Sequence, residues 1–200
     1  MKVLVACEYS GTVRNAFLSR GHDAWSCDLL PSEDGSNRHI QGDARDLLDD
    51  GWDCLIVAHP PCTRLCNSGV RWLHRPPAGK TLRQMWRELR EGAALFSDFW
   101  NAPIPLRCIE NPVMHKHAKA LIDNYREFAQ SVQPWQFGHG ETKRTCLWLH
   151  DLPPLVPTDV VGGRENRVHR MPPGPDRWKE RSRFFKGIAE AMADQWGALA

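Results

Sequence analysis

"LIVAHPPCTRLC", Leu55 to Cys66, is an apolar run that stops abruptly. Proline has no backbone N–H to give to a strand ladder, so Pro60 and Pro61 end the run as a strand and present Cys62 at its exit. Cys62 can then be a nucleophile, a metal ligand with His59 and Cys66, or a small buried side chain. The spacing of Cys62 and Cys66 is permitted for a zinc thiolate pair. Cys54, however, falls inside the strand and the two prolines stiffen the loop, so no metal is expected.

Working outward, "KVLVA" (Lys2–Ala6) reads as a first strand, and Ser10 is placed to cap a helix over Thr12–Arg20 that Gly21 ends. "HDAWSCD" reads as a second strand ending at Asp28, "RHIQGD" as a third ending near Asp43, and "WDCLIVA" (Trp52–Ala58) as the fourth. Strand, helix and strand at this spacing predict βαβ units and a parallel sheet. Thr81 and Gln84 fit a capping box. Leu82, Met85, Trp86, Leu89, Ala93, Phe96 and Trp100 then keep helical spacing to about Trp100. "PLRCIE" (Pro105–Glu110) predicts a fifth strand, followed by a helix over about His115–Ser131. "PWQFGHG" and "TCLWLH" predict an antiparallel pair at the sheet edge. Residues 151–177 read as irregular loop, and Trp178–Trp196 as a last helix. The expectation is an α/β fold in a single domain, residues 1–200.

No apolar run approaches the ~18 residues needed to span a bilayer, and the N-terminus lacks a signal-peptide core. A cytoplasmic protein is expected, with its seven cysteines reduced and with neither a membrane nor an obligate protein partner. The net charge of +2 is unevenly distributed. Thr63–Arg90 carries seven basic residues against Glu88, and Gly162–Lys186 carries eight against three acids. Two basic segments on an acidic body predict a polyanion surface.

In an open parallel sheet, ligands bind beyond the carboxyl ends of the strands. Glu8, Ser10 and Gly11 fall there after the first strand, Asp28 after the second and Asp43 after the third. Pro60 and Cys62 follow the fourth strand, and Glu110 and Asn111 the fifth. An acid after the second strand suits ribose hydroxyls.

"HPPCT" followed by "IENPV" resembles the catalytic core of the C5-cytosine-specific DNA methyltransferase family. "CEYSG", Asp28, Asp43, "ETKRT" and "GIAEAMADQW" extend the resemblance over most of the chain, which looks like the small phage-type members. The resemblance implies a Rossmann-like methyltransferase fold, a mostly parallel sheet with helices on both faces. It also implies S-adenosyl-L-methionine as cofactor and DNA as the nucleic-acid partner, the methyl group going to cytosine C5 through a covalent Cys62 adduct. Cys62 is implied as the nucleophile, Glu110 as the acid on the cytosine edge and Arg144 as the cation on its carbonyl. Glu8, Ser10, Gly11, Asp28, Asp43, Pro60 and Gly187 are implied at the cofactor. Residues 63–80 are expected to form a mobile basic catalytic loop, with Arg64, Arg71, Arg75 and Lys80 on nucleic acid. Thr63, Thr142 and Cys146 depart from the family pattern. About 40 residues separate Arg144 from Gly187, too few for a target-recognition domain, so 151–177 stands in its place as loop. Modification of RNA, single-stranded DNA or a free nucleotide, and non-catalytic nucleic-acid binding, are the alternatives.

Overall fold

The computed structural model describes residues 1–174 and 177–199. Its centre is a seven-stranded sheet. In chain order the elements are β1 (Lys2–Ala6), α1 (Thr12–Leu18), β2 (Asp23–Asp28), β3 (His39–Gln41), β4 (Cys54–Val57), α2 (Leu82–Trp100), β5 (Leu106–Asn111) and α3 (Lys116–Lys119). Then follow β6 (Gln130–Val132), β7 (Thr145–His150), α4 (Arg167–Arg170), α5 (Arg177–Ser182) and α6 (Lys186–Gly197). The sheet order is β3-β2-β1-β4-β5-β7-β6. The first five strands run parallel, and β7 lies antiparallel between β5 and β6. The order reverses between β1 and β4, the crevice where such sheets take their ligands.

Alternation along the strands splits the core in two. Leu4, Ala6, Leu55, Val57 and Ile109 face α2, against Met85, Leu89, Ala93 and Phe96. Val3, Val5, Ile56 and Cys108 face α1 and α6, against Phe17, Ile188, Met192 and Trp196. Covered on both sides, all four residues of β4 are fully buried, which is why that strand reads as an unbroken apolar run. No helix among the described residues is long and apolar enough to cross a membrane.

The capping box on α2 is present: Gln84 N–H donates to Thr81 Oγ1 at 3.2 Å, and Thr81 N–H to Gln84 Oε1 at 2.7 Å. α1 is capped differently from expectation. Gly11, at φ 73°, is its N-cap residue, and the buried Glu8 accepts from Val13 N–H at 2.7 Å and Arg14 N–H at 3.1 Å. A carboxylate at the positive end of the helix does there what Ser10 was expected to do.

Three expected elements change. The helix over His115–Ser131 shrinks to α3, because the indole N–H groups of Trp100 and Trp148 take the carbonyls of Asn124 and Arg126 that a helix would need. The edge strand lies at β6, upstream of "PWQFGHG", which instead forms a 3₁₀ turn at Pro134–Gln136. The last helix breaks after Ser182 and restarts at Lys186. Gly187 seats this restart: its N–H donates to His139 Nε2 at 3.0 Å, and a Cβ would lie 1.9 Å from the Phe137 carbonyl oxygen. The 151–177 stretch is not wholly irregular, since it contains α4 and bridges Asp159 to Phe137 and Glu165 to Glu141.

Segment 63–80 is folded against the body. Asn67–Leu73 form a 3₁₀ helix, Leu65 and Leu73 are buried, and Asn67 N–H donates to the Val113 carbonyl at 3.1 Å. A Cβ on Gly69 would sit 1.9 Å from the Thr63 carbonyl oxygen. Backbone cannot yield as a flexible side chain can, so Gly69→Ala is expected to destabilise the protein by about 3 kcal/mol. Chemical denaturation of the variant checks this.

Candidate active site

The site is made by strand exits. β4 leads through Ala58 and His59 into Pro60 and Pro61, and the chain then turns on Cys62, whose carbonyl accepts from Leu65 and Cys66 N–H, both at 3.0 Å. The turn is pinned to the chain leaving β5. His115 N–H donates to the Leu65 carbonyl at 3.0 Å, Cys66 bridges Met114, and His115 Nε2 lies 2.7 Å from the Arg64 carbonyl. Cys62 is thereby held beside Glu110, at the end of the neighbouring strand β5.

Both line one cavity of about 830 Å³ that runs across the crevice to Asp28 and Asp43 at the ends of β2 and β3. Pro60, His59, Lys143 and Arg144 line it as well. Of the other residues implied at a cofactor, Glu8, Ser10 and Gly11 frame the N-terminus of α1 and Gly187 packs under Phe137. None of these four lines the cavity. Nor do Arg64, Arg71, Arg75 and Lys80. Arg64 and Lys80 both clasp Glu88, each at 2.7 Å, and Arg71 lies 4.2 Å from the Trp72 ring centroid.

Electrostatics sort the cavity groups. Burial raises the Glu110 carboxyl against the opposing pull of Lys143 and a hydrogen bond from Thr145, so the acid form persists above the usual carboxylate range. The Cys62 thiol is pushed up by the hydrogen bond it shares with Cys66, then by burial and by Glu110. Cys66 moves the opposite way, to about 5, because Cys62, the Ser68 hydroxyl and the Ser68 and Gly69 N–H groups all favour its thiolate. His59 is pushed down to about 3 by burial and by Lys143. It is a neutral imidazole whose Nε2 has no hydrogen-bond partner among the described residues, with its ring 5.7 Å from that of Phe184. Burial raises Asp28, whereas Asp43 is lowered by its hydrogen bonds with Arg45. Among the described residues, no cluster of His, Cys, Asp or Glu side chains could hold a metal ion.

Lys143 escapes the sequence reading, which stops at its neighbour Arg144. Directly opposed residues of an antiparallel pair share a face, and Glu110 opposes Leu147. Counting back by twos from Leu147 gives Thr145 and then Lys143 on the Glu110 face. The flanking rings agree: Lys143 Nζ lies 5.9 Å from Phe185, whereas Arg144 Cζ lies 5.8 Å from Phe128. Phe185 packs with the α6 core and Phe128 with the α2 core. His59 was legible as a residue near the site, but not as an unpartnered one.

Compared with protein-family models and with curated proteins, the sequence matches none.

Proposed function

We propose that the protein transfers a methyl group from S-adenosylmethionine to C5 of cytosine in a nucleic acid. One observation carries the reading. A cysteine and a carboxyl group that burial shifts towards its acid form stand at adjacent strand exits, Cys62 and Glu110, over a cavity that continues to Asp28 and Asp43 beyond β2 and β3.

The far end of the cavity suits a nucleoside. Asp28 sits at the end of β2, where ribose hydroxyls are commonly met, and Leu29 beside it, 73% exposed, gives the same cavity an apolar side chain. Asp28, Asp43 and Pro60 would hold the cofactor, which when bound supplies an electrophilic methyl group. The N-terminus of α1 is already satisfied by Glu8, so it is not assigned to the cofactor.

Cytosine C5 is a poor nucleophile until C6 is attacked. Cys62 Sγ bonds to C6 as a thiolate, its proton having gone to water. Glu110 donates to N3 as C6 is attacked, so C5 becomes the carbon of an enamine. Once C5 is methylated its proton goes to water, the Sγ–C6 bond breaks to expel the Cys62 thiolate, Glu110 recovers the N3 proton, and the ring is aromatic again. Lys143, on the Glu110 face, offsets the charge that develops.

The test is transfer of labelled methyl from S-adenosylmethionine to duplex DNA, single-stranded DNA, RNA and free cytosine nucleotides. A companion assay uses 5-fluorocytosine oligonucleotides, on which the reaction stalls because fluorine cannot leave C5 as a proton does. The expected results are label in 5-methylcytosine and an adduct that survives denaturing electrophoresis. Neither product on any of the four substrates would remove the proposal.

A further inference from the structure

One wall of the cavity is not used by this chemistry. α4 and α5 bring Val168, His169, Trp178, Arg181 and Ser182 to it. Trp178 is 52% exposed, backed by Tyr9 at 6.2 Å between ring centroids. An exposed indole on a cavity wall, with polar and basic neighbours, is a contact surface. The charge around it indicates what it contacts. Within the basic segment, Arg167 is paired with Glu141, and Arg183 with Glu33 and Glu180. Arg170 and Arg181 form no ion pair with the described residues, and Arg181 faces the cavity beside Trp178.

We propose that Trp178 and Arg181 form a stacking platform that grips a single-stranded polynucleotide and feeds one of its bases to the cavity. This rests on the nucleic-acid reading above and specifies the strand state. Aromatic faces interleaved with cations hold single strands, because every base has a face to stack and every linkage a phosphate. Duplex reading needs a helix or ribbon that enters a groove. α4 and α5 have four and six residues and lie against the cavity instead. A base already unstacked also avoids the cost of extrusion from a duplex.

DNA and RNA single strands share this chemistry, so both are probed. Fluorescence anisotropy of the full chain, without cofactor, is measured against one short cytosine-containing sequence as single-stranded DNA, single-stranded RNA and duplex DNA. One of the single strands is expected to bind about tenfold tighter than the duplex, and which one does so names the source. Trp178→Ala is expected to weaken that binding about tenfold, with Trp178→Phe staying within about threefold of the parent. Arg181→Ala is expected to reduce the salt slope by about one. Duplex binding as tight as single-strand binding would overturn the platform, and so would parent-like affinity in Trp178→Ala or equal losses in the alanine and phenylalanine variants. The two proposals fail separately. Trp178-dependent binding without any methyl transfer keeps the platform and removes the chemistry. Transfer to duplex with no dependence on Trp178 does the reverse.

Discussion

Cys62→Ala is expected to lower methyl transfer by about 10⁴-fold or more and to abolish the 5-fluorocytosine adduct, because it removes the sulfur assigned to form the bond to C6. Binding of oligonucleotide and of cofactor should remain near parent values, since the side chain is small and its backbone turn is fixed by Leu65 and Cys66. Cys66→Ala separates the two thiols. The hydrogen bond that the Cys62 thiol gives to Cys66 is the largest cause of its raised value. Without it Cys62 ionises at lower pH, so the rising limb of the rate profile, which follows thiolate formation, moves to lower pH. Adduct formation survives in Cys66→Ala and fails in Cys62→Ala. An adduct in Cys62→Ala would transfer the nucleophile's role to another residue and sink the assignment.

The parts of the site that follow from chain direction were legible in the sequence. An apolar run halted by two prolines fixes where β4 ends, and the same logic of strand exits brings Asp28, Asp43, Pro60, Cys62 and Glu110 to one cavity. The parts that depend on distant partners were not. Ile122, Tyr125 and Phe128 are spaced for a helix, yet tryptophans 24 and 22 residues away in sequence capture the carbonyls between them. Ser10 looks like a helix cap, but Glu8, farther from the helix and deeper in the core, reaches the N–H groups first. The break after Ser182 is set by the Phe137 carbonyl meeting Gly187, a contact invisible to periodicity. A run of cations says nothing about its counter-ions, and Glu88 occupies both Arg64 and Lys80.

Lys143→Ala is expected to lower kcat/KM for methyl transfer by about 10²-fold, the scale for removing one group that stabilises developing charge. Arg144→Ala should stay within about threefold of the parent, because its exposed side chain, although at the cavity wall, lies on the strand face opposite Glu110. The pH profile distinguishes electrostatic action from a structural role. The Lys143 charge pulls down both the Cys62 thiol and the Glu110 carboxyl. Its removal makes Cys62 ionise at higher pH, shifting the rising limb upward, and lets Glu110 keep its proton to higher pH, shifting the falling limb upward as well. Lys143→Arg restores the cation and should return both limbs towards the parent, whereas a variant that merely loosened the fold would lower the rate without moving them. The opposite result, a large loss in Arg144→Ala with parent-like Lys143→Ala, would return the cation's role to Arg144. It would also mean that strand alternation does not continue past Thr145 when substrate is bound.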